Sequence, residues 1–168
     1  MAQDSKTMAD LQEAFAGESQ ANRKYLAFAK QADAEGFSQV AKLFRAAAEA
    51  ETVHAHSHLK VMGGIGNTRE NLQAAIDGET HEFKNMYPQM IIDAEQEGNA
   101  AAVRTFKFAN EVEKIHAGLY QNALDTIGRQ GALFDYFVCS VCGYTAEEAA
   151  PEKCPVCGAA SKAFLQVS

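Results

Sequence analysis

Cysteine is missing from everything before Cys139. A chain that relied on disulfides would spread them through its length, so cysteines confined to one end point to a reducing compartment and to thiols kept for other chemistry. The opening residues 1–10 lack the basic flank and apolar run of a secretory leader, and nowhere do the ~20 successive apolar residues of a membrane span occur. A cytoplasmic protein without a membrane partner is expected. Basic charge is also scarce: 15 Lys and Arg face 22 Asp and Glu, for a net charge of -7. That balance disfavours a nucleic-acid surface and suits a small or neutral substrate. With 168 residues and 47% hydrophobic content there is room for one sizeable core and a small appendage.

What fills the first three quarters is helix-forming sequence cut by glycine at Gly36, at Gly63, Gly64 and Gly66, and at Gly98. The pieces between these breaks predict four helices, each with a stripe at steps of three and four. The first stripe is Leu11, Ala14, Glu18, Ala21, Tyr25, Phe28, Ala32, and the second is Val40, Phe44, Ala47, Glu51, His54, His58, Val61. The third is Leu72, Ala75, Glu79, Glu82, Met86, and the fourth is Ala102, Phe106, Ala109, Glu113, His116, Tyr120, Ala123. A glutamate stands in the middle of every one.

A carboxylate in a core costs several kcal/mol unless something neutralises it. Glu18, Glu51, Glu79, Glu82 and Glu113 would meet at one level, and no Lys or Arg lies on these stripes. Two divalent cations answer the charge. Glu51-x-x-His54 and Glu113-x-x-His116 each set a carboxylate beside an imidazole on one helix face. With Glu18 and Glu79 from the other two helices, this is the pattern of ferritin-like di-iron or di-manganese carboxylate bundles. His58 lies one turn beyond His54 without a matching carboxylate and reads as core or as a partner of a ligand. His56 and His81 read as surface, and Tyr25 and Tyr120 as core aromatics whose hydroxyls need partners.

The chain also repeats. Gly17-Glu18-Ser19 matches Gly78-Glu79-Thr80 at an offset of 61, whereas Glu35-Gly36 and Glu51-x-x-His54 match Glu97-Gly98 and Glu113-x-x-His116 at 62. Two copies of a helical hairpin follow. The extra residue belongs to the region of Tyr87-Pro88, where proline removes a helical hydrogen bond, so a kink or π-bulge is predicted there. Glu82 has only Ala21 as its counterpart in the first half. One metal is thereby offered an added anionic ligand, and the expectation is that the ion beside Glu18 takes Glu82 when oxidised and His54 when reduced.

All four cysteines lie near the end, as Cys139-x-x-Cys142-Gly and Cys154-x-x-Cys157-Gly. Two such loops supply four thiolates to one tetrahedral ion, with Gly143 and Gly158 letting amides turn toward sulfur. A zinc ribbon holding a small fold together is the plainer reading of the same residues.

The connection between the second and third helices is short. In a ferritin-like bundle these two helices run the same way, so the connector must climb the bundle. From about Val61 to Thr68 it has some six residues, reaching about 20 Å, against a climb of about 26 Å. A swapped homodimer is predicted, in which the first hairpin of one chain packs on the second hairpin of another, the alternative being a same-chain bundle with unwound helix ends or an all-antiparallel order.

With these motifs the chain resembles the rubrerythrins over essentially its whole length. The resemblance rests on Ala16-Gly-Glu-Ser-Gln20, Glu51-x-x-His54, Gly78-Glu79-x-x-Glu82, Met86-Tyr87-Pro88, Glu113-x-x-His116, Cys139-x-x-Cys142-Gly-Tyr and Cys154-Pro-x-Cys157-Gly. It implies a mainly α fold: a ferritin-like four-helix bundle over 1–130, a linker at 131–135 and a small rubredoxin-like metal-binding domain over 136–168. It further implies a non-haem di-iron peroxidase that turns hydrogen peroxide into water in oxidative-stress defence. Electrons would come from a donor such as rubredoxin or a reductase through an Fe(Cys)4 centre, which zinc can replace. Metal ligands would be Glu18, Glu51, His54, Glu79, Glu82, Glu113 and His116, with Tyr25 and Tyr87 as hydrogen-bond partners of the carboxylates. A ferroxidase or oxygen-reducing relative, or a metal-binding scaffold without turnover, remains the alternative.

Overall fold

The computed structural model describes residues 5–129 and 131–168; residues 1–4, part of the stretch read for a leader, and residue 130, the expected end of the bundle domain, lie outside the described residues. Two compact units result, one ending at Gly66 and the other spanning Asn67–Ser168.

The first unit is a hairpin of α1 (Lys6–Ala34) and α2 (Ser38–Val61). Ser5 caps α1, its hydroxyl accepting from the Met8 amide at 3.2 Å. The turn needs a left-handed residue, which Gly36 supplies at φ +84°, and the Phe37 amide closes it on the Ala32 carbonyl at 2.8 Å. The line buried between the helices is made of Ala29, Ala32, Ala41, Ala48 and Ala55, the last three seven residues apart. Small side chains let two backbones approach closely. Of the stripe expected to face inward only Ala32 enters this line, and its Phe28, Val40 and Val61 are exposed. Asn22 ties the alanine line together, donating to the Ala48 carbonyl at 2.7 Å and the Thr52 hydroxyl at 2.8 Å.

The second unit repeats this hairpin with α3 (Thr68–His81), a π turn (Glu82–Met86), α4 (Tyr87–Gln96) and α5 (Ala100–Thr126). Asn67 and Glu70 form a capping box at the start of α3. The bend after α4 copies the earlier one, with Gly98 at φ +70° and the Asn99 amide on the Ala94 carbonyl at 2.9 Å. The ion pairs repeat as well: Arg45 to Asp33 at 2.7 Å becomes Lys107 to Glu95 at 2.6 Å. Tyr25 and Phe44 have ring centroids 6.1 Å apart, as do Tyr87 and Phe106.

The expected third helix is thus two α segments joined by a π turn. Glu79 still matches Glu18 at offset 61, and Tyr87 already matches Tyr25 at 62, which pins the extra residue inside that turn. The Tyr87 amide reaches back five residues to the Glu82 carbonyl. Widening the helix by one residue keeps Tyr87 and Phe106 in the register of their counterparts, and Pro88 falls in the first turn of α4, where its missing N–H is tolerated.

The cysteine tail folds as a three-stranded antiparallel sheet ordered β2-β1-β3, from β1 (Tyr136–Cys139), β2 (Thr145–Glu147) and β3 (Phe164–Val167). Within this unit β2 packs against α5. Among the described residues no helix is long and apolar enough to cross a membrane.

Candidate metal centres

Each hairpin gathers one carboxylate from its first helix and a Glu-x-x-His pair from its last. In the first, Glu18, Glu51 and His54 bring ligand atoms within 4.8 Å of one another. His54 Nδ1 lies 2.9 Å from Glu51 Oε2 and 3.8 Å from Glu18 Oε1. In the second, Glu79, Glu113 and His116 do the same, with His116 Nδ1 2.8 Å from Glu113 Oε2 and 3.8 Å from Glu79 Oε1. The repeat read in the sequence is a repeat of coordination geometry.

The second trio is the more enclosed. The His116 side chain is 25% exposed against 55% for His54. Burial, then the charge of Glu113, a hydrogen bond with Glu113 and the charge of Glu82 raise Glu79 from 4.5 to about 7. A Glu79 that keeps its proton near neutrality beside Glu113, with no Lys or Arg bonded to either among the described residues, forms a donor set made for a cation. Glu82, predicted as an added ligand, stands at the start of the π turn and does not complete this trio among the described residues. Tyr87 feels the same charges: burial and then Glu113, Glu82 and Glu79 push its hydroxyl above its ordinary value of 10.0. Tyr25 stacks on Phe28 and Phe44. Neither tyrosine hydroxyl bonds a carboxylate among the described residues. His56 and His81 are exposed, and His58 is half-buried.

The four cysteines converge. Cys139 and Cys157 sulfurs are 3.7 Å apart and those of Cys142 and Cys154 3.5 Å. Sulfurs ~2.3 Å from a tetrahedral centre stand about 3.8 Å from one another, whereas a disulfide is closed at about 2.05 Å. The two loops match each other: the Gly143 amide donates to the Cys139 carbonyl at 2.8 Å and the Gly158 amide to the Cys154 carbonyl at 2.9 Å, both glycines at positive φ. Burial pushes Cys154 up, but amide hydrogen bonds from Cys157 and Val156, with the neighbouring thiols, outweigh it and bring it down to about 7. Burial raises Cys142. Cys154 ready to ionise beside a Cys142 that resists suits a site whose remaining protons leave when a metal arrives.

One contact was not foreseen from the sequence. His116 Nε2 lies 3.0 Å from the Thr145 hydroxyl of β2, 29 residues further along the chain. No motif announces it.

The ligand sets are those of a di-iron carboxylate site and of a rubredoxin-like iron. A family model described as Rubrerythrin matches residues 10–124, and one described as Rubrerythrin, rubredoxin-like domain, matches residues 137–165. The chain is 35% identical to Rubrerythrin-2 of Clostridium acetobutylicum, covering 92% of each, and 36% identical to a rubrerythrin of Porphyromonas gingivalis, covering 91% of this chain and 86% of that one. Among solved structures it is similar to nigerythrin in a partially reduced state, with 33% identity, a TM-score of 0.59, and coverage of 99% of this chain and 92% of that chain. Two family models, whole-length relatives and two ligand sets agree that the chain belongs to the rubrerythrin family.

Proposed function

We propose that this di-iron protein is a peroxidase that reduces hydrogen peroxide to water, working in the cytoplasm with electrons passed through its four-cysteine centre. The observation that carries this reading is the pairing, in one chain, of two equal Glu, Glu, His trios with a tetrathiolate fold resting on the helix of the second. Hydrogen peroxide needs two electrons and two protons to leave as two waters, and a pair of iron ions supplies one electron each when bound. Solved relatives described as partially reduced and as all-ferrous nigerythrin support redox-active iron rather than a zinc scaffold.

The chain's own residues have separable tasks. Glu18, Glu51 and His54 would hold one ion, and Glu79, Glu113 and His116 the other, with Glu82 taking the place of His54 on the ion beside Glu18 in the oxidised state. Tyr87, held protonated by burial and by three glutamates, stays a hydrogen-bond donor at neutral pH, available to a carboxylate that shifts when an ion binds. Tyr25 has the matching place in the first hairpin. The bundle domain is assigned to 1–130, the linker to 131–135 and the tetrathiolate domain to 136–168.

Each hairpin offers three ligands to one ion, and a bridged pair needs both hairpins. The connector of six residues, 62–67, is too short to climb the ~26 Å that closure within one chain demands. We therefore assign the active form to a swapped homodimer, its hairpins exchanged, with Phe28, Val40 and Val61 covered by the second copy.

The test is anaerobic. Fully reduced, iron-loaded protein is mixed with one equivalent of peroxide or of dioxygen, and the di-iron and tetrathiolate signals are followed together. Peroxide oxidising both centres much faster than dioxygen does is the expected result. Dioxygen as the faster oxidant would make the protein an oxidase or ferroxidase, and a colourless, unreactive tetrathiolate would make it a scaffold.

A further inference from the structure

Helix α5 meets the first cysteine loop with two side chains one turn apart. Val112 is 2% exposed, and its Cγ1 lies 3.7 Å from where a Cβ on Gly143 would stand. One turn on, His116 Nε2 is 3.0 Å from Thr145 Oγ1, and the Thr145 hydroxyl donates to the Gly143 carbonyl at 3.2 Å. Gly143 follows the ligand Cys142, and its amide donates to the carbonyl of the ligand Cys139 at 2.8 Å. A run of hydrogen bonds therefore joins the second half-site to the cysteine loop. Beside it the interface is loose, leaving a cavity of about 650 Å³ lined in part by Leu72, Leu119, Tyr136 and Val138.

The direction of each bond follows once an ion is held between His116 Nδ1 and the glutamates. His116 Nδ1 faces Glu113 and Glu79, so its lone pair is the one offered to a metal. A neutral imidazole with that lone pair carries its proton on Nε2 and donates to Thr145 Oγ1. The threonine hydroxyl then sends its own proton to the Gly143 carbonyl. Threonine fits because it accepts and donates at once; valine has its shape and does neither. His54, the counterpart in the first hairpin, has no partner for Nε2 among the described residues.

We propose that Thr145 is a positioning residue: it fixes His116 in the form protonated at Nε2 and joins the four-cysteine centre to the half-site of its own chain, making the ion held by Glu79, Glu113 and His116 the entry point for electrons. The proposal rests on the electron-relay function assigned above. The step is the passage of one electron. Loaded with iron, the four cysteines would hold the ferrous ion that gives up the electron and Glu79, Glu113 and His116 the ferric ion that takes it, while the protons on Nε2 and Oγ1 stay in place.

The full-length protein is compared with Thr145→Val and Thr145→Ser, with Thr145→Ala as a second loss variant and the tetrathiolate absorption as the check on folding. In the zinc-loaded, histidine-labelled protein, NMR should show a slowly exchanging His116 Nε2 proton in the native and serine forms and none in the valine form. In the iron-loaded, fully reduced protein given peroxide, the oxidation of the tetrathiolate is timed from the di-iron oxidation that precedes it in each form. The return of the ferric tetrathiolate band should slow about 10-fold in the valine form and recover with serine. Any other pattern overturns the proposal, including a lost proton without slowed transfer, or serine behaving like valine. Failure of the native protein to react with peroxide would sink the peroxidase reading instead, and the zinc measurement, which needs neither iron nor peroxide, would still judge Thr145.

Discussion

The two half-sites share a ligand geometry and differ in what surrounds it. His54 and His116 hold the same pair of distances to their glutamates, 2.9 and 3.8 Å against 2.8 and 3.8 Å. The turns, the ion pairs and the tyrosine–phenylalanine contacts that frame them also repeat. Yet only the second has a π turn with an extra glutamate beside it, a Glu79 raised to about 7, and a threonine bonded to the far side of its histidine. The repeat sets which residues face an ion; one inserted residue and the tail set what surrounds each trio. On the function proposed above, the second half-site would take the electrons, while Glu82 would reach across to the ion beside Glu18.

The hardest test of that comparison separates the halves. Glu51→Ala and Glu113→Ala each remove a ligand from a different half-site, so each variant alone should lose di-iron loading and peroxide turnover by more than the ~100-fold typical of an outer partner. In a swapped dimer made by refolding the two variants together, one of two sites receives both intact halves. With random pairing about a quarter of native turnover should return. Iron content per chain and peroxide consumption check it. No recovery would mean that each chain closes its own site.

A smaller effect is expected where the halves differ by one carboxylate. Glu82→Ala gives the second half-site the residue that Ala21 supplies in the first. Loading of both ions should survive, turnover should fall about 10-fold, and crystal structures of oxidised and reduced protein should then share one ligand set. An unchanged rate with an unchanged exchange of ligands would strip Glu82 of its role.

Much of this site was legible because glutamate in a helix core is conspicuous. Glu18, Glu51, Glu79 and Glu113 stand at the centre of apolar stripes, and the i, i+3 histidines fall on the same face, so helical period made each Glu-x-x-His pair and the hairpin turn brought the third ligand to it. The shift of offset from 61 to 62 gave away the π turn, since an inserted residue must widen a helix or rotate everything after it. The alanine line Ala41, Ala48, Ala55 went unread, because alanine in a helix carries no size or charge to mark which face it serves. Thr145 went unread for another reason: its bond to His116 joins two folds that no local pattern connects, and only tertiary packing puts them together.

The smallest predicted difference is one of pH, and its sign follows from Glu79. In the metal-free protein this carboxyl holds its proton up to about 7 where an unfolded chain releases it near 4.5, because burial and then Glu113 oppose its charge. The folded state thus binds more protons between those values, so this group's contribution is fully present below 4.5 and is lost as pH rises through 7. Thermal unfolding of the metal-free protein should show a melting temperature that drifts down by a few degrees across that window, relative to Glu79→Gln, which has no such proton to lose. Zinc should reverse the slope, since a bound cation favours the ionised carboxylate and metal binding drives the proton off. An equal slope in the native protein and in Glu79→Gln would place the pH response elsewhere and remove the electrostatic distinction between the halves, leaving Glu82 and Thr145 as the differences that separate them.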